Sequence, residues 1–257
     1  MIYQIKSYSQ FLLKSTNEHG VHSPFVYDFA TQCLYNKKWY EDYTTLKKIR
    51  KSLLDDTQII YVTDFGKGSR IFKFQERMVS AIAKNAGVSF KRQKLLFRIA
   101  NYFKPQTILE LGTSVGLGTS ALSLGNRVAR ITTIEGCPNT AKIAKNTFQT
   151  FQCNNVELHN TNFEEFFKND ITLTYDLIYV DGNHDKEKTL QYFEILSEKI
   201  TNDSFIIFDD IYWSPAMNEA WREIIKHPKV SVSIDTFYWG LVFFRKEQKK
   251  EHFTLRL

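Results

Sequence analysis

A glycine-rich loop carries the strongest chemical signal in the sequence. An apolar strand at 108–112 ends in Gly112, and Gly116 and Gly118 follow before a helical pattern. Glycines let the backbone approach a ligand, and the N–H groups at a helix N-terminus attract a carboxylate or phosphate. The next strand ends in Glu135, 23 residues after Gly112, where a carboxylate can accept both hydroxyls of a ribose. This pattern predicts a site for a ligand that contains adenosine.

Three carboxylates stand at the ends of two later strands. Asp181 ends the run YDLIYVD, and Asp209 and Asp210 end the run SFIIFDD. Ligands of an open α/β sheet bind outside the carboxyl ends of its strands, so we expect the three acids to converge. Carboxylates this close repel one another unless a cation lies among them, and hard oxygen ligands suit Mg²⁺ or Mn²⁺. A divalent metal site is therefore predicted, with metal-free roles in cofactor binding or helix capping as the alternative.

Alternating strands and helices must position these residues. The β-rich runs are separated by helical stretches that begin near Gly118, Pro138, Asp185 and Ser214, which is typical of βαβ units in a parallel sheet. Two further β-rich runs, VSVSIDTFYW and GLVFFRK, follow one another directly and predict a hairpin that adds an antiparallel strand. The five earlier runs lie at 108–112, 130–135, 155–159, 175–181 and 204–210. We predict an α/β fold with a seven-stranded, mostly parallel sheet.

The N-terminal third differs in pattern and charge. The net charge is +8 over residues 1–95 and −2 over the rest of the chain. Ser23 and Pro24 are a helix cap and first helical residue, and 41–54 is a second amphipathic helix. We predict a mainly helical extension at 1–87 that covers the substrate, followed by a catalytic domain at 88–257. Asp64 to Arg70 holds the glycines and cations of an anion nest. The segment favours a mobile β-turn, with a lid over an anionic substrate as the alternative.

Composition restricts the class and the compartment. With 257 residues, 43% of them hydrophobic and 24% charged, the chain has the composition of an ordinary globular protein. Three cysteines without metal-ligand spacing make a disulfide framework or a zinc site improbable. The apolar runs are far shorter than a membrane span, and no signal peptide is recognisable. We expect a cytoplasmic protein that is not inserted in a membrane.

The loop E-x-G-x-x-x-G, from Glu110 to Gly116, resembles motif I of the class I S-adenosylmethionine-dependent methyltransferases rather than the G-x-G-x-x-G of dinucleotide folds. Asp181 with Asp209 and Asp210 resembles the metal triad of the Mg²⁺-dependent O-methyltransferases of the catechol and caffeoyl-CoA type. It is still more similar to that of the sugar O-methyltransferases of macrolide and aminocoumarin pathways. The resemblance covers about residues 88 to 245 and implies a Rossmann-like fold.

This resemblance implies a role for each residue of the site. Asp181 would serve both the metal and the ammonium group of the cofactor. His184 stands where the catechol type has a catalytic Lys, so it is a candidate general base or a solvated residue at a helix start. The cofactor-binding positions would be Glu110, Gly112, Thr113, Ser114 and Gly116 at the methionine part, Glu135 at the ribose, and Asn162 and Phe163 at the adenine.

The sequence therefore predicts S-adenosylmethionine-dependent O-methylation of a small hydroxylated molecule, assisted by a divalent cation. One alternative is a metal-independent methyltransferase that docks RNA or protein on the basic N-terminal region. Nucleic acid is disfavoured as a substrate, because no RNA-binding module is recognisable. In addition, strand four ends in Asp-Gly rather than in the Asn/Asp-Pro-Pro-Tyr/Phe motif of enzymes that methylate amino groups of bases. A second alternative is a non-catalytic protein that binds an adenosyl ligand on the same fold. A homodimer is compatible with the sequence.

Overall fold

The computed structural model describes residues 2–65, 72–168 and 173–257, and the chain divides into two compact units. We call Asn36–Asp170 the central unit. We call Met1–Tyr35 together with Ile171–Leu257 the terminal unit. The predicted domain boundary after residue 87 stays a prediction.

A parallel three-stranded sheet forms the centre of the central unit. Its strands are β3 (Thr107–Leu111), β4 (Arg130–Ile134) and β5 (Val156–His159), with β4 between the other two. Since the three strands run in the same direction, the segments that follow them leave from one edge. Each is followed by a helix: α6 (Leu117–Gly125), α7 (Pro138–Thr150) and α8 (Phe163–Lys168).

The described residues in the first part of the central unit form three helices and one hairpin. Ser89 caps α5 by accepting a hydrogen bond from the Arg92 N–H, and Lys104 ends that helix in a left-handed conformation. The hairpin pairs β1 with β2 in antiparallel register and was not predicted. Residues 66–70 of the predicted anion nest lie outside the described residues. The elements are α3 (Asp42–Leu54), β1 (Ile59–Tyr61), β2 (Glu76–Met78), α4 (Val79–Asn85) and α5 (Phe90–Phe103).

Five strands form the sheet of the terminal unit. In chain order they are β6 (Leu177–Val180), β7 (Phe205–Asp209), β8 (Val232–Asp235), β9 (Trp239–Phe243) and β10 (Glu251–Thr254). Strand β6 pairs in parallel with β7, and β9 lies antiparallel between β7 and β8. Strand β10 adds to β8 in parallel and was not predicted.

Helices of the terminal unit begin where the sequence provides caps. Ser23 accepts the Val26 N–H at the start of α2 (Pro24–Phe29), and Ser214 accepts the Met217 N–H at the start of α10 (Pro215–Ile224). A proline occupies the first turn of both helices, where its missing N–H leaves no hydrogen bond unmade. The other α-helices in the described part of this unit are α1 (Ile2–Lys14) and α9 (Lys186–Ser197), and it also contains a 3-10 helix (Glu18–Gly20) and a π-helix (Ala30–Leu34). Among the described residues, no helix has the length and apolar character needed to span a membrane.

The predicted α/β class is confirmed: both units contain parallel strands followed by helices, and the C-terminal antiparallel hairpin is β8–β9. Strands β6 and β7 are buried along their whole length. Continuous apolar runs of this kind are typical of strands covered on both faces.

Candidate functional site

The glycine loop between β3 and α6 has a backbone conformation that residues other than glycine rarely adopt. Gly112 and Gly116 have φ angles of 106° and 87°, and Ser114 has a φ of 50°. A Cβ atom at Gly116 would lie 2.7 Å from Cε1 of Phe148, so a side chain there would meet both backbone strain and a clash. The loop is therefore a tight cradle directly before the N-terminus of α6.

Glu110 lies inside the central unit beneath this loop. It is 1% exposed, and its Oε2 accepts hydrogen bonds from the hydroxyls of Thr119 and Thr133, the latter at 2.6 Å. The Thr113 hydroxyl lies 2.6 Å from that of Thr133. Burial raises the pKa of Glu110 to about 7, although the two threonine hydrogen bonds favour its charged form. Glu110 thus anchors the loop, and its predicted contact with the methionine part stays a prediction.

Glu135 presents a fixed carboxylate at the end of β4. Its Oε2 accepts the Ser114 N–H and its Oε1 accepts the Cys137 N–H, both at 2.9 Å. Burial raises the pKa of Glu135 to about 7 against these two hydrogen bonds, and the nearby Asp64 carboxylate adds to the rise. One side chain therefore joins the glycine loop to the start of α7.

Asn162 and Phe163 follow β5 at the same edge of the central sheet. The Asn162 side chain accepts the Glu165 N–H at 2.8 Å and so caps α8. Phe163 is the first residue of that helix and is partly buried. The structure brings both residues to the edge where the glycine loop and Glu135 lie, and their predicted contacts with adenine stay predictions.

In the terminal unit, Asp181 and Asp209 are brought together by a tyrosine of β6. The Tyr179 hydroxyl lies 3.0 Å from Oδ2 of Asp181 and 3.3 Å from Oδ2 of Asp209. Asp209 is 4% exposed, and its Oδ1 accepts the N–H of Asp210, whose φ is 52°. Two of the three predicted metal ligands thus contact one hydroxyl group, while the third lies on a left-handed turn.

This donor set fits a divalent cation in its chemistry. Carboxylate oxygens suit Mg²⁺, which needs only one or two of them beside water or substrate oxygens. Over the ranges that the structure describes, no three His, Cys, Asp or Glu side chains are grouped so as to hold a metal ion. The structure therefore places Asp181 and Asp209 beside one hydroxyl group, and the predicted metal site with Asp210 as its third carboxylate stays a prediction.

His184 lies on the turn between β6 and α9. Its φ is 42°, its N–H donates to the Gly182 carbonyl at 2.8 Å, and its ring centroid lies 5.4 Å from that of Trp213. The Trp213 ring thus contacts one side of the imidazole. This placement leaves the predicted role as general base untested.

Sequence reasoning missed Tyr179, although a signal was present. Side chains alternate across a strand, so a residue two positions before Asp181 lies on the same face as that acid. Tyr179 is fully buried, and its ring packs edge-on against Trp239 at 6.0 Å. A polar aromatic residue two positions before a strand-end acid indicates a hydrogen bond to that acid.

Comparison with protein families finds a match over part of the chain. The model of a methyltransferase domain family matches residues 109–211, a segment that includes the glycine loop, Glu135, Asp181 and Asp209. A search of curated proteins finds no match. The family match confirms the predicted resemblance to methyltransferases.

Solved structures with the same fold are distant in sequence. An O-methyltransferase from Bacillus cereus in complex with S-adenosylhomocysteine is 17% identical with a TM-score of 0.55, and the match covers 81% of this chain and 93% of that one. TomG, an O-methyltransferase of Streptomyces achromogenes involved in tomaymycin synthesis, is 17% identical with a TM-score of 0.57, over 86% and 95% of the two chains. The S-adenosylhomocysteine-bound methyltransferase PaMTH1 of Podospora anserina is 15% identical with a TM-score of 0.58, over 82% and 100%. These matches confirm the Rossmann-like methyltransferase fold.

Proposed function

We propose that this chain, with its methyltransferase domain at 109–211, is an S-adenosylmethionine-dependent O-methyltransferase that acts on a small hydroxylated molecule. One observation carries the proposal. The Glu135 carboxylate is held by the Ser114 and Cys137 N–H groups beside the glycine loop, at the edge of a parallel sheet where such folds bind ligands. The O-methyltransferases among the structures of the same fold support the choice of oxygen as acceptor.

Binding of the methyl donor is assigned to the central unit. The Glu135 carboxylate accepts hydrogen bonds from the ribose hydroxyls, and the cradle from Gly112 to Gly116 surrounds the methionine part. Asn162 and Phe163 contact the adenine. These groups are held in place before the ligand arrives, and such preorganisation lowers the entropic cost of binding.

The acceptor is assigned to the terminal unit. Its hydroxyl oxygen attacks the sulfonium methyl in line, so that a C–O bond forms as the C–S bond breaks and S-adenosylhomocysteine leaves. The proton of the hydroxyl passes to the His184 imidazole, whose orientation is restricted by the Trp213 ring. Alignment supplies much of the rate, because the methyl donor is already activated.

Asp181 and Asp209 are the proposed ligands of Mg²⁺ or another divalent cation, with Asp210 as a third ligand. Such an ion, when bound, lowers the pKa of the acceptor hydroxyl and orients it. Tyr179 contacts Asp181 and Asp209 and so keeps their carboxylates together at the ends of β6 and β7.

Methyl transfer from labelled S-adenosylmethionine to a panel of small hydroxylated acceptors tests the proposal. We expect transfer by the wild-type protein, loss of transfer after EDTA treatment, and recovery when Mg²⁺ is restored. Transfer that EDTA leaves undiminished would remove the metal from the proposal. Transfer to RNA or protein alone would overturn the assignment of a small acceptor.

A matched pair of acidic residues controls this assay. Asp209→Asn removes a buried carboxylate next to Tyr179, whereas Asp203→Asn removes one whose side chain is 77% exposed. We expect the first substitution to abolish the Mg²⁺ response and the second to preserve it. Equal activity of the two variants would contradict the role of Asp209.

A further inference from the structure

Phe65 lies against the backbone of Gly136, the residue directly after Glu135. A Cβ atom built on Gly136 would lie 2.6 Å from Cδ2 and 2.9 Å from Cε2 of the Phe65 ring. The φ angle of Gly136 is outside the left-handed region, so its backbone would accept a side chain. The phenyl ring of Phe65 therefore fills the space that a side chain at 136 would take.

The segment that carries Phe65 is anchored to the start of α7. The Tyr61 carbonyl accepts a hydrogen bond from Nδ2 of Asn139 at 2.8 Å, and the Thr63 N–H lies 3.4 Å from Sγ of Cys137. Tyr61 and Thr63 thus lie beside the segment that begins at Glu135. These contacts hold the backbone that leads to Phe65.

An ion pair holds the residue before Phe65. Both terminal guanidinium nitrogens of Arg77 contact the carboxylate of Asp64, with the Nη1 to Oδ1 distance at 3.1 Å, and Arg77 is only 8% exposed. Bidentate pairs of this kind fix direction as well as distance. The ion pair therefore holds the backbone at Asp64, and the next residue, Phe65, lies against Gly136.

Phe65 is exposed over 56% of its surface, although the residues before it are held in place. An apolar ring that is held in place and still open to solvent leaves room for a flat ligand. The ring packs on Gly136, and the residue directly before Gly136 is Glu135, whose carboxylate is assigned above to the ribose. We therefore expect a base attached to that ribose to contact the ring.

We propose that Phe65 is a cofactor-binding residue whose ring forms an aromatic wall for the adenine of S-adenosylmethionine. The ring itself occupies the space that the missing side chain of Gly136 leaves. This inference rests on the proposed function. Stacking of a base on an aromatic side chain tolerates small shifts and excludes water from one face of the base. The β1–β2 hairpin thereby becomes part of the cofactor site rather than only a cover.

Calorimetric titration with S-adenosylhomocysteine and with 5′-methylthioadenosine tests the proposal. Both ligands contain adenosine, and only the first has the amino acid part. We expect Phe65→Ala to raise Kd for both ligands by the same factor, roughly tenfold, which is the size expected for base–aromatic stacking. Phe65→Tyr should restore the wild-type Kd. Phe74→Ala is the matched control, because Phe74 belongs to the same hairpin segment, is 78% exposed and is not assigned to the site.

Gly136→Ala gives a second, independent variant. Its Cβ displaces the Phe65 ring without altering Glu135, so Kd should rise in the single variant. Adding Gly136→Ala to Phe65→Ala should cause no further rise, because the ring is already absent.

Three results would overturn the inference. An unchanged Kd in Phe65→Ala would show that the ring does not contact the base, and a lower Kd would show that it occupies the place of the ligand. If Glu135→Ala abolishes binding while Phe65→Ala does not change it, only this inference fails. If the wild-type protein binds neither ligand, the proposed function fails and this inference fails with it.

Discussion

The protonation state of Glu135 gives cofactor binding a defined pH dependence. A carboxylate that accepts two ribose hydroxyls must be ionised, because a protonated carboxyl offers one acceptor fewer and an added donor. Burial has raised the pKa of Glu135 to about 7. Binding should therefore strengthen as the pH rises through 7, which is far above the range of an ordinary glutamate.

The size of the effect follows from the ionised fraction. With a pKa of about 7, roughly a tenth of the molecules carry the ionised form at about pH 6 and roughly nine tenths at about pH 8. The apparent Kd is the intrinsic Kd divided by the competent fraction, so it should fall about tenfold between these two pH values. The curve should be flat above about pH 8.

Calorimetry with 5′-methylthioadenosine isolates this effect, because that ligand lacks the amino acid part assigned to the Glu110 side of the cradle. In the Glu135→Gln variant, the Kd should be higher at every pH and should no longer vary between about pH 6 and 8. Glu157→Gln, at an exposed position in the same unit, should behave as the wild type. A wild-type Kd that is constant over this range would refute the assignment of Glu135 to the ribose.

Further outcomes concern stability. Gly116→Ala should lower the free energy of unfolding by about 2 kcal/mol in urea denaturation, since its Cβ meets Phe148 at a φ of 87°; an unchanged midpoint would contradict the tight cradle. Thr133→Val removes a donor to the buried Glu110 and should cost about 1 to 3 kcal/mol, measured in the same way, whereas a neutral result would mean that this hydrogen bond is dispensable. Tyr179→Phe should cost a similar roughly 1 to 3 kcal/mol and weaken Mg²⁺ binding in calorimetry, and unaltered Mg²⁺ affinity would remove Tyr179 from the metal site. Because folding raises the pKa of Glu110, the folded state holds its proton more tightly, so the free energy of unfolding should fall as the pH rises from about 4.5 to 7, and a rise in that window would contradict its buried state.

The regular elements of both units were predictable from the sequence because local signals agree with the fold. Continuous apolar runs mark β6 and β7 as buried strands, and serine or proline marks the starts of α2, α7 and α10. The hairpin β1–β2 gave no comparable signal. Its strands have three residues each, which is too short for alternation to be recognised, and two of the three residues in each strand are exposed.

The candidate site was predictable in its residues but less so in their contacts. Spacing alone places Glu135 and the glycine loop at one edge, because parallel strands end on the same side. The turn at Asp210 was not predictable, since only a few per cent of residues other than glycine adopt a positive φ. That turn directs the Asp210 N–H to the Asp209 carboxylate at 2.9 Å. The hydrogen bonds to the buried Glu110 were likewise not predictable, because Thr119 and Thr133 lie 9 and 23 positions away in the sequence.

Binding of the methyl donor is the central claim, and calorimetric titration of the wild-type protein tests it most directly. S-adenosylmethionine and S-adenosylhomocysteine should each bind at one site per chain, NAD should not bind, and Glu135→Ala should abolish the heat of binding for both adenosyl ligands. Absence of binding by the wild-type protein, or binding of NAD with equal affinity, would contradict the account.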